Sequence, residues 1–495
     1  MGVWVVGGAV FLGLMAATLA PPIRNSDIWW HLATGRYIVE TRSVPKHEVF
    51  SYTVAGRRWV THEWLSELVF WWTYRGTGLR GLIVLRALLL TATLMVVFGA
   101  GARRLGVYAA LVLTGVAAYA TTRSWLERPQ LFTYLGAVAF AAALSGEPPA
   151  NWGAALRRFG PLVGATLVWA NLHAGFVTGI MLLGLWTVGH ALFGRGRPGW
   201  AVGVVGGATA TAACAAVALI NPNGVDLLTY PFDYLRQSVY PKYILEWQRT
   251  TFDNGPHLAG GVLVLVSLVA AGLRLRRGGG PGFVWMVVLG ALVLTAKRHV
   301  PVAAVVAGPV LARGLGVLLE GRERGRRTLE RLRAGESGRP SAAALVLAGA
   351  GLVAMLAYFP WKGDFKACVA PGSVPAGCAT FLAEHGYRGN ILNPFNWGGY
   401  LIFTLYPQCR VAIDQRPDVY GETLVGISQR LDGGPPEWEA LVEAQHPDLV
   451  VWFADSRLVT LVAGSPKWRL IYVDAVAAAF ERVGRSGETG VSGTG

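Results

Sequence analysis

The chain has 495 residues, of which 53% are hydrophobic and only 15% are charged, and its mean hydropathy is +0.42. This composition is typical of an integral membrane protein and excludes an ordinary soluble domain. A formal net charge of +15 would suit a nucleic-acid partner in a soluble protein, but here the arginines stand in short clusters between apolar runs. Such clusters are the orientation signals of membrane proteins, so no nucleic-acid partner is expected.

Apolar segments of roughly membrane-spanning length recur along the chain. Since about 20 apolar residues cross a bilayer, and fewer suffice in a tightly packed bundle, the sequence predicts about 11 transmembrane helices. Abundant glycine and alanine within these segments permits close helix packing. The predicted spans are 2–20, 81–101, 107–122, 130–146, 160–173, 175–193, 200–220, 258–274, 282–297, 300–319 and 341–359.

The basic clusters predict how these spans are oriented. If the N-terminus is cytoplasmic, the polar loop 21–80 and the C-terminal region lie outside, and the clusters fall inside. The apolar segment 64–74 is too short to span and is predicted to be an interfacial helix; if it did span, every later loop would change sides. The inside clusters are Arg103 with Arg104, Arg157 with Arg158, Arg195 with Arg197, Arg274 with Arg276 and Arg277, and the run 322–339.

The sequence changes character after the last predicted span. Residues 360–485 have short apolar runs that alternate with turn signals, which predicts a small extracytoplasmic α/β domain. The tail 486–495 is rich in glycine, serine and threonine and is predicted to be disordered. The remaining residues, 1–359, form the predicted membrane domain, which includes the external loop 21–80. A disulfide between Cys368 and Cys378 is one option if this region lies in an oxidising compartment.

The external loop 21–80 is rich in acids, histidines and tryptophans, which are costly to keep at a membrane interface unless they bind something. Asp27 stands close to Trp30 and His31. An acid in such a place can act as a general base or bind a divalent metal such as Mg²⁺ or Mn²⁺. The alternative is that Asp27 caps the helix that follows it.

A second polar loop, 414–420, lies in the predicted α/β domain and gathers acids, an arginine and a tyrosine after a strand. Loops at strand ends often bind ligands, so this one is a candidate for holding the acceptor or a sugar. A buried Asp–Arg pair that fixes the loop is the alternative.

The order of these features resembles the GT-C superfamily of membrane glycosyltransferases, which use polyprenyl-phosphate-linked sugars. The shared features are an apolar first helix, an outside loop that opens with an acid and an amphipathic helix, many further spans, and a C-terminal extracytoplasmic α/β domain. The nearer likeness is to bacterial relatives of protein mannosyltransferases and aminoarabinose transferases. It rests on DIWWHL at 27–32 with Gly35, VP at 44–45, FSYT at 50–53, HEWL at 62–65, RP at 128–129, WANLH at 169–173, NPNG at 221–224 and GGYL at 398–401.

The resemblance implies roles for several acids. The acid of the first external loop is the catalytic or metal-binding residue of such enzymes, and by position this is Asp27, although Ile28 follows it where many relatives carry a second acid. The second external loop often carries another acid, and Glu127 has that place here. Its alternative role is an ion pair with a neighbouring arginine. Glu63 is a further candidate for the catalytic acid.

Basic and polar residues at the outer ends of the spans are candidate substrate ligands. Arginine makes bidentate contacts to phosphate, so cations there would suit the phosphate of a lipid donor, whereas the alternative is snorkelling toward lipid headgroups. Asn171 and His173 lie in a short polar break between apolar runs, where such groups either line a cavity or cap the helices. The candidate binding residues are Trp30, His31, His62, Arg123, Arg128, Asn171, His173, Arg298 and His299.

The predicted protein is therefore a polytopic GT-C-like glycosyltransferase of the bacterial inner membrane. Its N-terminus would be cytoplasmic and its C-terminal domain periplasmic or extracellular. It would move a sugar from a polyprenyl-phosphate donor to a lipid, glycan or protein acceptor. The alternative is a non-catalytic scaffold or a transporter associated with envelope polysaccharide assembly.

Overall fold

The structure is a computed structural model that describes residues 3–277, 279–333, 349–351 and 365–484. Its contacts divide the chain into two compact units. The membrane unit comprises Met1–Ile23, His62–Asp233 and Ile244–Cys368, and the α/β unit comprises Arg24–Thr61, Tyr234–Tyr243 and Val369–Gly495. The predicted domain boundaries stay a prediction, and the contacts give another grouping for residues 24–61, which join the C-terminal residues.

Helices make up most of the chain, and every predicted span as far as 300–319 falls on one of them. The predicted span 341–359 lies, apart from residues 349–351, outside the described residues. In chain order the helices are α1 (Val3–Leu19), α2 (Asp27–Thr41), α3 (Trp64–Leu105), α4 (Val107–Thr121), α5 (Gln130–Leu144), α6 (Trp152–Leu172), α7 (Phe176–Phe193), α8 (Trp200–Val217), α9 (Val225–Arg236), α10 (Val239–Tyr243), α11 (Gly255–Gly272), α12 (Gly280–Thr295), α13 (His299–Glu320) and α14 (Glu323–Arg333).

By length and composition, five helices of the described residues are apolar enough to cross a membrane, namely α3, α7, α8, α11 and α13. Shorter apolar helices cover Val6–Leu19, Gln130–Leu144 and Gly280–Thr295. The predicted class, a helical multi-pass membrane protein with a small α/β domain, is therefore confirmed. The number of eleven spans remains a prediction.

The predicted interfacial segment 64–74 forms the first part of α3 rather than a separate helix. Within α3, Gly78 has φ 66° and ψ −160°, which are not helical angles, and the helix is kinked there. Glycine adopts a positive φ at little cost because it has no Cβ. The kink thus separates the segment 64–74 from the longer apolar part of α3.

Small residues let the helices of the membrane unit approach closely. A Cβ added to Gly314 of α13 would lie 2.8 Å from Cβ of Ala270 in α11. A Cβ added to Gly260 of α11 would lie 2.5 Å from a methyl group of Val300 in α13. The backbones of these two helices therefore approach each other closely, as small residues allow in membrane bundles.

Consecutive helices of the membrane unit run in opposite directions, so their connections gather at two ends. We call the "loop end" the one formed by residues 62–63, 122–129, 173–175, 218–233, 244–254 and 296–298. There the N–H groups of Lys297 and Arg298 donate to the carbonyls of Gln248 and Glu246, over 3.0 and 2.9 Å. The "basic end" carries the members of the predicted inside clusters up to Arg333 that the structure describes, and Arg197 donates there to the carbonyl of Arg276 over 2.6 Å.

The α/β unit contains a sheet of five strands among the described residues, in the order β2-β1-β3-β5-β4. The strands are β1 (Gly389–Leu392), β2 (Cys409–Val411), β3 (Leu449–Phe453), β4 (Trp468–Val473) and β5 (Ala477–Arg482), of which β2, β1 and β3 are parallel and β3, β5 and β4 antiparallel. Among residues 365–484 the helices are α15 (Phe365–Cys368), α16 (Ala376–Glu384), α17 (Gly398–Leu405), α18 (Pro417–Asp432), α19 (Trp438–Glu443) and α20 (Arg457–Ala463).

The central strand β3 has the sequence LVVWF and is almost wholly buried, as expected of a strand covered on both faces. Trp452 of this strand is fully buried, and its indole N–H donates to Asp432 over 3.1 Å. All four cysteines of the chain are buried free thiols. The disulfide between Cys368 and Cys378 is therefore not formed.

Candidate active site

Three of the predicted site residues come together at the loop end of the membrane unit. Oε1 of Glu63 lies 3.2 Å from Nε2 of His62 and 3.3 Å from Nε2 of His173. Glu63 immediately precedes α3, where a carboxylate is favoured by the positive end of the helix dipole. The side chains are largely but not fully buried, with 11% of Glu63 and 16% of His62 exposed. The carboxylate is thus held by two imidazoles and still reaches the surface.

Hydrogen bonds fix the tautomer of His173. The N–H of Gly175 donates to Nδ1 of His173 over 3.0 Å, and Oγ1 of Thr133 lies 2.7 Å from the same nitrogen. Nδ1 therefore accepts, and the ring hydrogen is on Nε2, facing Glu63. A ring whose Nδ1 accepts a hydrogen bond is neutral, so His173 is a neutral donor that orients the Glu63 carboxylate.

Asn171 ties three segments together beside this cluster. Its Oδ1 accepts a hydrogen bond of 2.9 Å from the indole N–H of Trp64, and its Nδ2 donates to the carbonyl of Ile220 over 3.0 Å. Ser66 donates to the carbonyl of Leu172 over 2.5 Å. Of the two roles considered for Asn171, the contacts favour satisfying the broken backbone, so it positions the helix ends around Glu63.

Two residues at this cluster were not predicted as site residues. The ring of Tyr230 stacks on His62 with 4.4 Å between centroids. Thr133 receives a hydrogen bond from the indole N–H of Trp169 over 3.2 Å, which leaves its own hydroxyl hydrogen for His173. Tyr230 belongs to an aromatic-rich stretch that is visible in the sequence, whereas nothing local marks Thr133, because it lies 40 positions from its histidine.

A pair of arginines forms the second feature of the loop end. Arg128 contacts both carboxylate oxygens of Glu246, at 2.7 and 3.3 Å, and Arg298 lies 3.8 Å from the same carboxylate. The guanidinium of Arg298 stands 4.0 Å from the ring centre of Trp247. Burial raises the pKa of Glu246, but the charges of Arg128 and Arg298 outweigh burial and lower it overall. Two cations thus share the carboxylate of Glu246.

The other two basic candidates, His299 and Arg123, lie beside this pair of arginines and on a surface helix, respectively. The ring of His299, at the start of α13, has its centroid 6.3 Å from that of Trp247, so it borders the arginine pair. Arg123 is exposed on the short 3-10 helix Thr122–Ser124. The roles proposed for both as ligands stay predictions.

Glu127 forms a buried ion pair with Arg86. Its side chain is 1% exposed and contacts Nη1 of Arg86, and that guanidinium also donates to the carbonyls of Thr18 and Pro21 over 2.9 and 2.6 Å. Burial raises the pKa of Glu127 to about 7 against the opposing charge of Arg86. The geometry favours the ion-pair alternative, with Arg86 as the partner instead of a neighbouring arginine, and the catalytic role stays a prediction.

Asp27, Trp30 and His31 belong to the α/β unit. Asp27 is the first residue of α2 and is half-buried, and its backbone N–H donates to Oδ1 of Asn25 over 3.3 Å. Trp30 and His31 are 7% and 1% exposed, and their rings lie 3.7 Å apart. Such burial is typical of core residues, so it favours a structural role for both rings over contact with a substrate.

The loop 414–420 shows the buried pair considered as its alternative role. Arg416 bonds to both oxygens of Asp414, at 2.8 and 2.5 Å, and lies 2.7 Å from Oε2 of Glu48. Tyr420 donates to Asp414 over 2.7 Å, and the guanidinium lies 4.3 Å from the ring of Trp59. These groups are buried and connect the loop to the segment 24–61 within the α/β unit.

Comparisons with known proteins identify the fold. ArnT from Cupriavidus metallidurans, in its structure bound to undecaprenyl phosphate, is similar to this chain with a TM-score of 0.52 at 15% sequence identity, covering 97% of this chain and 98% of that one. The Archaeoglobus fulgidus oligosaccharyltransferase, in its structure tethered with an acceptor peptide, gives a TM-score of 0.54 at 10% identity, covering 92% and 69%. This chain therefore shares its fold with these two structures, and the predicted GT-C-like fold is confirmed. No family model matches the sequence, and no curated protein matches it.

Within this GT-C fold, the described residues bring no three histidine, cysteine, aspartate or glutamate side chains close enough to hold a metal ion. Asp27, predicted as a ligand of Mg²⁺ or Mn²⁺, therefore has no ready set of companion ligands in that part of the chain. No metal-dependent step is assigned to it, and its role as a metal ligand stays a prediction.

Proposed function

We propose that the protein is a glycosyltransferase that moves a sugar from a polyprenyl-phosphate donor to a hydroxyl group of an acceptor outside the cytoplasm. The observation that carries the proposal is Glu63, a carboxylate oriented by His62 and His173 at the same end of the membrane unit as Arg128 and Arg298. Such an arrangement combines a candidate base with candidate phosphate ligands, as sugar transfer from a lipid phosphate requires.

The arginine pair supports the donor half of the reaction. Arg128 and Arg298 are each about one fifth exposed, and both contact the carboxylate of Glu246. Guanidinium groups bind phosphate oxygens in a bidentate manner, and Trp247 holds the Arg298 plane from one side. The similar ArnT structure contains undecaprenyl phosphate, which agrees with a lipid phosphate as the ligand here.

The Glu63 cluster supports the acceptor half. Glu63 would take the proton of the acceptor hydroxyl while the oxygen attacks the anomeric carbon, and the bond from that carbon to the phosphate oxygen would break, releasing the polyprenyl phosphate. Direct displacement of this kind inverts the anomeric centre. Neutral His173, locked by Gly175 and Thr133, would keep the carboxylate pointed at the acceptor.

Asp27 is the competing candidate for the base, because the family resemblance implies that role. Its half-buried position in the first turn of α2 leaves its side chain accessible. Asp27 and Glu63 are therefore both tested as the base. The acceptor is a lipid, a glycan or a protein. The oligosaccharyltransferase structure with an acceptor peptide makes a protein acceptor one of the cases to test.

The proposal places the protein in the bacterial inner membrane with the loop end outside the cytoplasm. Its support is the distribution of charge, because the arginine clusters, including Arg103 with Arg104 at the end of α3, lie at the basic end. Single cysteines are introduced into the loops 122–129 and 195–199, and intact cells are treated with a membrane-impermeant thiol reagent. We expect labelling of the first loop and not of the second. Labelling of the second loop alone would show that the orientation is the opposite one.

The test is sugar transfer from a panel of radiolabelled polyprenyl-phosphate sugars in membranes with matched protein levels. Glu63→Gln and Asp27→Asn are compared with Asp253→Asn, which removes an exposed acid at the loop end, and Glu40→Gln, which removes an exposed acid from α2. Loss of a catalytic base lowers kcat by roughly 10²–10⁴-fold.

Each outcome assigns a role. A loss confined to Glu63→Gln supports Glu63 as the base, and a loss confined to Asp27→Asn moves the base to the α/β unit. Transfer that survives in both variants excludes both acids. No transfer from any donor by the wild type contradicts the glycosyltransferase and favours the scaffold.

A further inference from the structure

A half-open cavity lies at the basic end of the membrane unit, away from the loop end. Its empty volume is about 390 Å³, which includes space that is open to solvent. It is formed where α5 ends, where α12 begins, and by the last turns of α7 and the residues after α11. Its lining includes His190, Arg274 and Arg313.

The polar groups of this cavity are basic and incompletely paired. Arg274 is 3% exposed, forms no ion pair among the residues described, and its Nε has no hydrogen-bond partner. His190 is 4% exposed, and its Nε2 also has no partner. Arg313 pairs with Glu147 over 2.6 Å, but two thirds of the Glu147 side chain is exposed. Buried cations and polar groups left without partners are costly, so these groups favour an anion in the cavity.

A helix terminus adds a second attraction for negative charge. The 16-residue helix α12 begins at Gly280, and Gly279, Pro281 and Gly282 line the cavity. The first backbone N–H groups of a helix have no partner within it, and the helix dipole makes this end positive. Helix N-termini beside arginines are established binding places for phosphate groups.

We propose that this cavity binds a phosphate group, held by Arg274, His190 and the N-terminus of α12. The inference goes beyond the proposed function and does not depend on it, because the cavity lies at the opposite end of the membrane unit from Glu63. Two sources offer this chemistry, the headgroup of an acidic lipid and a free phosphate from solution. In either case the bound phosphate neutralises Arg274 and ties α7, α11 and α12 together.

The test measures the thermal unfolding midpoint of the purified full-length protein. One arm compares inorganic phosphate with chloride at equal ionic strength in neutral detergent. A second arm compares phosphatidylcholine nanodiscs with and without phosphatidylglycerol. Arg274→Gln is set against Arg276→Gln, which removes the same charge from an exposed side chain two residues away.

For wild type and Arg276→Gln, we expect phosphate or phosphatidylglycerol to raise the midpoint, because a ligand that binds only the folded state stabilises it. Arg274→Gln should bind roughly tenfold more weakly or worse, since it loses charge-assisted hydrogen bonds. A response to inorganic phosphate identifies a free phosphate, and a response to phosphatidylglycerol alone identifies a lipid.

Two results would overturn the proposal. One is a wild type that responds to neither phosphate nor phosphatidylglycerol, and the other is an equal response of Arg274→Gln and Arg276→Gln. If Arg274→Gln does not fold, His190→Gln replaces it, because that substitution removes a ring nitrogen from the cavity without removing a permanent charge. Its response is judged against Arg276→Gln in the same way.

Discussion

Nε2 of His173 lies 3.3 Å from Oε1 of Glu63, while Nδ1 of the same ring accepts a hydrogen bond from the N–H of Gly175. The imidazole is therefore a rigid neutral link between the backbone after α6 and the carboxylate before α3. A carboxylate fixed in this way is prepared for proton transfer without reorganisation, which is the property that a base in sugar transfer needs.

Replacing His173 by Gln should leave substrate binding almost unchanged and lower kcat roughly tenfold or more, because Glu63 would lose its orienting donor. Replacement by Ala should lower kcat further. The measurement is transfer at saturating and at limiting donor concentrations. Equal KM and kcat values for wild type and both variants would show that His173 has no role in transfer.

Arg128→Lys should raise the KM for the lipid donor roughly tenfold, because lysine cannot make the bidentate contact. Arg249→Lys is the matched control, since Arg249 is exposed at the loop end and is not a candidate ligand. Donor titrations of the two variants decide the matter. An increase of the same size in both would point to general attraction of an anionic lipid, without a specific role for Arg128.

Glu127→Gln should destabilise the membrane unit by about 3–5 kcal/mol, because Arg86 would stay buried beside a neutral group. The double variant Arg86→Met with Glu127→Leu should recover much of this loss, since it removes both charges. Unfolding in denaturant measures all three proteins. A stable Glu127→Gln variant that has lost transfer would instead support the catalytic role predicted for Glu127.

Tyr420→Phe should destabilise the α/β unit by about 1–3 kcal/mol, because Asp414 loses a buried hydrogen bond. Tyr108→Phe serves as the control, since Tyr108 is 69% exposed. The comparison is made on the full chain by hydrogen exchange of the β3 amides. Unchanged exchange in Tyr420→Phe would show that the loop is held without the hydroxyl group.

The positions of the apolar helices were predictable because hydropathy is a local property, and α4, α7 and α13 fall close to the bounds of predicted spans. Pairings of distant residues were not. Glu127 was matched with a neighbouring arginine, but its partner is Arg86, 41 positions away. A buried ion pair depends on which helix faces which, and no local pattern records this.

In the candidate site, too, single residues could be predicted but their pairings could not. Chemistry-bearing residues such as Glu63 and Arg128 could be named because polar groups in an apolar chain need a reason to be there. Glu246, which joins Arg128 to Arg298, was missed, since it lies 118 positions from Arg128. The grouping of residues 24–61 with the C-terminal residues also depends on long-range contacts, such as that of Glu48 with Arg416.

Glu246 has a consequence for selectivity. Its carboxylate contacts Arg128 and lies close to Arg298. It therefore competes for these two arginines with any anion that approaches them. Weak anions such as chloride would gain little by displacing it, because they cannot replace the two contacts that the carboxylate makes with Arg128. A phosphate group with two or more free oxygens would gain more, and both the sugar-linked donor and the released polyprenyl phosphate carry such a group. The resting ion pair thus acts as a threshold that small anions do not pass.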